Sequence, residues 1–470
     1  VTPGRRLPRW LAPGDWNAFF GLALDNTTQL VILSGLLIGV FKFPADLVLG
    51  RMVPGTAAGV LVGDLVYTAL AIRLMRRTGR DDVTAMPFGI DTPSLFGLVF
   101  GVLGPAMLLT GDPVLAWKIG MGVTVAMGGL KLVLAFGGDL VRRLIPRAAL
   151  LGSIAGVAVL LIAFLAGALV FWLRAATGMG AASLAAPPAP LALAIPWPTL
   201  AWAPVFREVL PYLALATPFA LATVIGGIDN TESAIAAGDE YRARDILLTE
   251  AVATIAAGLC GGVIQNTPYI GHPAYKAMGA RAGYTLATAI VIGGGAAVGA
   301  ISVLVSVLPE AAVAPILIFI GLEITAQAFI ASPSRHAAAI TISFIPAIAA
   351  LVLIELNQFL AAAGRTEADL SAQGQAAYRN LLVLGNGFIV TALFWGWALV
   401  SIIDGRFGRA AAVFCACAAA TLFGLMHSPL PSGALFWPWA AGQREPIVLA
   451  AAYGVGAGLL MLLGRTRAAP

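Results

Sequence analysis

Two short runs, Asp25-Asn26-Thr27-Thr28-Gln29 and Asp229-Asn230-Thr231-Glu232-Ser233, place carboxylates, amides and hydroxyls inside long apolar stretches. On a helix Asp229 shares a face with Glu232 and Ser233, and Asp25 with Thr28 and Gln29, because residues three and four apart are neighbours. Such a face can accept N–H groups from a small polar molecule or carry a proton, since a desolvated carboxyl holds its proton more tightly. An ionisable residue in a membrane helix costs about 2.5–3.5 kcal/mol on insertion scales, so it persists where it lines a cavity, an ion path or a binding site. The competing reading is a hydrogen-bond network that closes the helix bundle. The second run carries two acids and is the stronger candidate for function.

Positioning these groups requires broken helices. Ala85-Met86-Pro87-Phe88-Gly89-Ile90 and Asn266-Thr267-Pro268-Tyr269-Ile270-Gly271 are interrupted by Pro and Gly. Each precedes a cap-like residue and a proline suited to the first helical position, Thr92-Pro93 and His272-Pro273. Each half of the chain is therefore expected to contain an extended segment that turns into a helix at membrane depth. Non-helical backbone survives there only when buried in protein or facing water. The N–H groups and positive ends of the new helices would then face an electron-rich ligand. Two ordinary kinked helices are the bland alternative.

The rest of the chain supports a membrane setting. Apolar residues make up 59% and charged residues 11% of 470, against about 25% charged for a soluble domain. Apolar runs place spans at 16–40, 52–75, 93–110, 116–137, 148–173, 207–237, 243–264, 273–283 (short), 284–307, 311–331, 337–361, 380–403, 409–427 and 446–464. With the N-terminus cytoplasmic, Arg5, Arg6, Arg9, Arg73, Arg76, Arg77, Arg80, Arg142, Arg143 and Arg147 gather inside, as do Arg242, Arg244, Lys276 and Arg281. This is a positive-inside pattern with both termini cytoplasmic. The first helix reads as a retained span and not a signal peptide. The second acidic run then lies on a helix opposite in direction to the first, the geometry of an inverted repeat. Two further pairs recur in register: Pro87–Pro93 with Pro268–Pro273, and Leu144–Ala149 with Leu308–Ala312. The segment 174–206, rich in proline, and the polar segment 362–378 read as outer loops. Asp64, Lys131, Glu250 and Glu323 also fall within spans and read as structural, Lys131 by snorkelling to an inner helix end. Cys260, Cys415 and Cys417 imply neither disulfides nor a metal set. No His-Glu-x-x-His motif is present, so neither an enzyme nor a cofactor or metal is expected.

The run from Asp229 through Thr285, including Thr267-Pro268-Tyr269-Ile270-Gly271-His272 and Gly279-Ala280-Arg281-Ala282-Gly283-Tyr284-Thr285, resembles the second-half core of purine permeases. These belong to the nucleobase/ascorbate transporter superfamily, with the uracil permeases. The resemblance implies an all-α polytopic membrane protein with about 13–14 membrane segments. It is an inverted-repeat transporter fold in which two short mid-membrane strands and half-helices meet at the substrate. The strands would fall on Phe88, Gly89 and Ile90 and on Tyr269, Ile270 and Gly271. An acidic residue on the first helix of the second half binds the base and couples protons in that family, and Asp229 matches it. Where the family places a glutamate after the second strand, this chain has Gly271-His272, and Glu232 or His272 would substitute. Only the span 148–173 precedes the Pro-rich loop, where the family has more.

These readings lead to defined expectations. Residues 1–173 form a first repeat, 174–206 an outer loop, 207–331 the core of a second repeat and 332–470 a gate region. The function is proton-coupled symport of a nucleobase or similar heterocycle by alternating access, with Asp229 and Glu232 coupling the proton. Substrate contacts are Asp229, Glu232, Asn230, Phe88, Gly89, Ile90, Tyr269, Ile270, Gly271, His272, Asp25 and Asn26. The partners are a small-molecule substrate, a proton or sodium ion and the lipid bilayer of the bacterial inner membrane. A homodimer is left open, and no nucleic acid is expected. The alternative on the same architecture is a carrier of a small anion such as sulfate or bicarbonate, favoured by facing helix N-termini but opposed by the two acids.

Overall fold

Apolar runs become helices here because a chain in hydrocarbon must satisfy its own N–H and C=O groups within each segment. The computed structural model describes residues 9–137, 193–269, 271–301, 332–431 and 444–468, with isolated positions at 303, 322, 325–326, 328–330 and 436–438. In chain order come α1 (Gly14–Val40), α2 (Ala45–Thr78), β1 (Phe88–Ile90), α3 (Thr92–Thr110) and α4 (Pro113–Leu134). They are followed by α5 (Phe206–Ala236), α6 (Ala243–Leu259), β2 (Asn266–Pro268), α7 (His272–Ala277) and α8 (Gly283–Ala297). The last group is α9 (Phe344–Ala362), α10 (Ala372–Gly385), α11 (Phe388–Ile403), α12 (Phe407–Leu422) and α13 (Glu445–Ala468). Among the described residues six helices are long and apolar enough to cross a membrane, or up to eight if each bent pair is one span. The chain is a multi-pass helical membrane protein with two short strands. The expected span at 148–173, most of that at 311–331, the recurring Leu144–Ala149 and Leu308–Ala312 segments, and Ile270 and Glu323 lie outside the described residues.

The chain divides into two compact units, Val1–Val141 with Ala182–Val313, and Arg142–Ala181 with Ala314–Pro470. In the first unit β1 and β2 pair antiparallel, with Phe88 opposite Pro268, Gly89 opposite Thr267 and Ile90 opposite Asn266. The ladder runs on at both ends: Tyr269 N–H donates to Pro87 O (2.8 Å) and Asp91 N–H to Gln265 O (3.1 Å). The second strand is thus Asn266–Pro268, three residues earlier than the resemblance implies. Pro268 closes it, because the strand ends where the chain turns into α7.

The strand pair packs close to α2 along a glycine stripe, Gly55, Gly59 and Gly63, spaced by one helical turn. A Cβ at Gly55 would stand 2.1 Å from Gly262 N, at Gly59 2.1 Å from Asn266 Oδ1, and at Gly63 1.9 Å from the Phe88 ring. Only glycine lets the two approach this closely, the small-residue logic of membrane helix packing. Phe88 fills the groove beside Gly63 and meets Tyr67 edge-on, with ring centroids 5.1 Å apart. Glycine also brings α4 and α6 together: a Cβ at Gly128 would lie 2.6 Å from Ile255, and one at Gly258 2.7 Å from Val125.

The helix starts sit one residue earlier than Thr92 and His272 would place them. Asp91 is the N-cap of α3, its carboxylate accepting from Ser94 N–H at 3.0 Å, so Thr92 and Pro93 are the first helical residues. Gly271 precedes α7, with His272 and Pro273 next. In the second unit, the segment 362–378 is not loop throughout. Ser371 caps α10 by accepting from Gly374 N–H (3.2 Å), so the helix begins inside that segment. α10 and α11 meet at a bend of 68° at Asn386-Gly387. Gly387 takes a left-handed φ of 70°, and a Cβ there would lie 2.2 Å from Leu425 O. Asn386 Nδ2 secures the bend by donating to Ser428 O and Leu430 O, both at 2.8 Å.

Candidate functional site

A two-stranded ribbon buried in helices has a specific problem, since every outward-facing N–H and C=O needs a partner. In an antiparallel ladder alternate residues pair across the ribbon and the rest face outward. The bonds at Pro87–Tyr269 and Asp91–Gln265 make Gly89–Thr267 the inward pair and turn Phe88, Ile90, Asn266 and Pro268 outward.

Side chains answer most of those outward groups. Asn26 Nδ2 donates to Phe88 O (3.3 Å), and Ile90 N–H donates to Asn26 Oδ1 (3.1 Å). Ile90 O accepts from the Tyr269 hydroxyl at 3.1 Å. On the other edge Asn230 Nδ2 donates to Pro268 O (2.6 Å) and Lys131 Nζ to Asn266 O (2.9 Å), while Asn266 N–H donates to Thr254 Oγ1 (3.3 Å). Pro268 has no N–H, so it leaves no donor to satisfy at that edge. The asparagines of the two duplicated runs therefore do the same work on opposite edges of one ribbon. Their common role is to substitute for a third and a fourth strand.

The residues singled out in the sequence fall into groups. Asn26, Gly89, Ile90, Tyr269 and Asp25 come together at the β1 edge. A Cβ at Gly89 would stand 2.2 Å from the Tyr269 hydroxyl and 2.4 Å from Asn26 Oδ1. Asp25 is half-buried and has the Tyr269 hydroxyl and the Gln29 amide as hydrogen-bond neighbours. Gln29 Nε2 also donates to Thr92 Oγ1 (2.6 Å), tying α1 to the start of α3. Asp229, one residue before Asn230, is half-buried, and Glu232 is exposed. The side chain of Phe88 is buried against α2, as described above. Gly271 precedes α7 beside the ring of Tyr275.

His272 points elsewhere. It is fully buried, 3.3 Å from Asp239 Oδ2 and 3.2 Å from Thr84 O. Asp239 is the hub of this cluster: Lys276 Nζ lies 2.7 Å and Arg80 Nη2 3.4 Å from Oδ1, and Thr84 N–H donates to Oδ2 at 3.0 Å. Burial works against its charge, but the bonds from His272, Lys276 and Thr84 outweigh that and hold its carboxyl below the usual carboxylate range. Arg80 beside Asp82 likewise holds that carboxyl low. The cluster straps the α5–α6 turn and α7 to the segment that leads into β1.

The charges within spans were expected to be structural, but sequence reasoning missed how they are held. Lys131 does not snorkel: its ammonium lies 2.7 Å from Glu250 Oε1, with both side chains at most 1% exposed. The close approach of α4 and α6 at Gly128 and Gly258 buries it. Gln265, whose Nε2 donates to Phe219 O (3.2 Å) and Asp91 Oδ2 (3.3 Å), joins the start of α3 to α5 and β2. Asp64 on α2 is wholly buried, and neither carboxylate oxygen has a hydrogen-bond partner among the described residues. The signals were present: glycines four apart on α2, and an aspartate, a stronger cap than threonine, immediately before Thr92-Pro93.

No family model and no curated protein matches the chain. Among solved structures it is similar to the transmembrane domain of a cyanobacterium bicarbonate transporter BicA. The identity is 12% and the TM-score 0.47, over 83% of this chain and 100% of that one.

Proposed function

We propose that this chain is a secondary active transporter that carries a nucleobase or similar small heterocycle, in symport with protons, by alternating access. The observation that supports the reading is the buried ribbon. Its two edges are held by Asn26 and Asn230, and each is preceded by a carboxylate, Asp25 or Asp229, that stays half-buried. Carboxylates in that position suit N–H donors on a substrate, and they suit proton exchange better than they suit an anion. Asp229 and Glu232 are the proposed proton-coupling pair. Asp25, Asn26, Gly89, Ile90, Asn230, Tyr269 and Gly271 are proposed to surround the substrate. The anion alternative leans on helix N-termini, and the N-terminus of α3 already holds the Asp91 carboxylate.

The test is uptake by proteoliposomes of labelled purines and pyrimidines, and separately of sulfate and bicarbonate, with and without a pH gradient. Base uptake stimulated by an inward proton gradient is expected, and Asp229→Asn should abolish the stimulation. Anion uptake that survives Asp229→Asn and Glu232→Gln, with no base uptake, would replace the symport reading by the anion carrier.

A further inference from the structure

The Lys131 ammonium sits in a cage made only of oxygens. Glu250 Oε1 lies at 2.7 Å, the Asn266 carbonyl at 2.9 Å and Thr254 Oγ1 at 3.4 Å. One carboxylate, one backbone carbonyl and one hydroxyl form the kind of donor set that hard cations choose, with no nitrogen or sulfur among them. The carbonyl is not incidental, because it belongs to the outward edge of β2 and has to be satisfied for the ribbon to exist. A second buried carboxylate, Asp91, lies within electrostatic range of the pair. This side of the ribbon is therefore rich in carboxylates and lone pairs, and the Lys131 ammonium faces them from a neighbouring helix.

We propose that the Glu250–Asn266–Thr254 cage is a monovalent-cation site whose resident cation is the tethered ammonium of Lys131, so that β2 is held without an ion from solution. The tether has two consequences. The ribbon of the wild-type protein is insensitive to whether sodium, potassium or a large organic cation surrounds it. Truncating the lysine leaves the three oxygens in place and opens a site that a free alkali cation enters. A plain structural salt bridge shares the first consequence but not the second: its loss would leave a buried carboxylate that takes a proton, and the damage would not depend on the salt.

The experiment is thermal unfolding of the purified full chain in detergent, in choline, sodium or potassium chloride at equal ionic strength. It compares wild type, Lys131→Ala and Lys131→Ala/Glu250→Gln. The wild-type midpoint should be the same in all three salts. Lys131→Ala should unfold at lower temperature in choline and recover saturably with sodium or potassium, by on the order of 5 °C at a hundredfold excess over Kd. The double variant, with the carboxylate neutralised, should lose that response. The proposal is overturned if Lys131→Ala ignores both alkali cations, if it cannot be recovered even in sodium-containing medium, if wild type responds equally, or if the response survives in the double variant. No readout involves transport, so failure here and failure of the symport reading are separate results.

Discussion

Replacing Asn26 by alanine tests the edge-closing argument most directly, because the two asparagines are matched in type but not in the number of groups they satisfy. Asn26 serves one donor and one acceptor of β1, Ile90 N–H and Phe88 O, and both residues are 0% exposed. Asn230 serves one acceptor, Pro268 O, since proline carries no N–H. An orphaned buried group costs about 1–3 kcal/mol. Asn26→Ala should thus cost about 2–6 kcal/mol and Asn230→Ala about half as much, both before any relaxation around the truncated side chain. Unfolding of the purified chain by SDS in mixed micelles would give the two values. Hydrogen exchange over residues 85–92 supplies a local check, because the Ile90 amide loses its acceptor only in Asn26→Ala. A loss for Asn230→Ala equal to or greater than that for Asn26→Ala, or an unchanged exchange rate at Ile90, would refute the idea that these side chains stand in for neighbouring strands.

Three further outcomes follow from the geometry. Gly63→Ala forces a methyl to within 1.9 Å of the Phe88 ring and should lower stability by about 1–3 kcal/mol. Gly294→Ala, with nothing within 4 Å of its Cβ, should be neutral or stabilising by up to about 1 kcal/mol; thermal melts of the pair separate contact from helix propensity. The Asp239 carboxyl is held low when folded, so its contribution is present above the unfolded-state value of about 3.9 and is lost as pH falls through the folded one. Stability should therefore drop on acidification below about pH 4. Asp239→Asn should be less stable at neutral pH and show a flatter acid limb in the same titration. Thr254→Val removes the acceptor of Asn266 N–H and should cost about 1–3 kcal/mol, read by the same SDS unfolding.

Much of the first unit was legible in the sequence because membrane helices write their spans in composition and their breaks in proline and glycine. The helices α1, α2, α4, α5 and α8 begin within a few residues of the expected spans, apart from the start of α2 at Ala45, seven residues before the expected 52. That start lies in a stretch containing Asp46 and Arg51, where apolar periodicity is weak but wide helical turns carry the chain on. The β1 segment was legible because Pro87 and Gly89 exclude a regular helix, whereas β2 lies three residues before the position that the resemblance implied. Asn266 and Pro268 are poor strand formers, but their outward groups are the ones that Lys131 and Asn230 reach.

That displacement explains why the two Pro/Gly-broken segments do not share one sequence motif at the ribbon. The strands pair antiparallel, but their two edges do not demand the same chemistry. On the β1 edge one asparagine from α1 answers the N–H of Ile90 and the C=O of Phe88. On the β2 edge proline removes the donor, so the asparagine of α5 answers only the carbonyl. The remaining carbonyl, at Asn266, falls to a lysine on α4. Once that lysine is buried, a carboxylate must accompany it, since an uncompensated ammonium at this depth would cost several kcal/mol. Glu250 on α6 supplies it at 2.7 Å. The Lys131–Glu250 pair thus answers the Asn266 carbonyl that Asn230 does not serve, as the Tyr269 hydroxyl answers Ile90 O on the other edge.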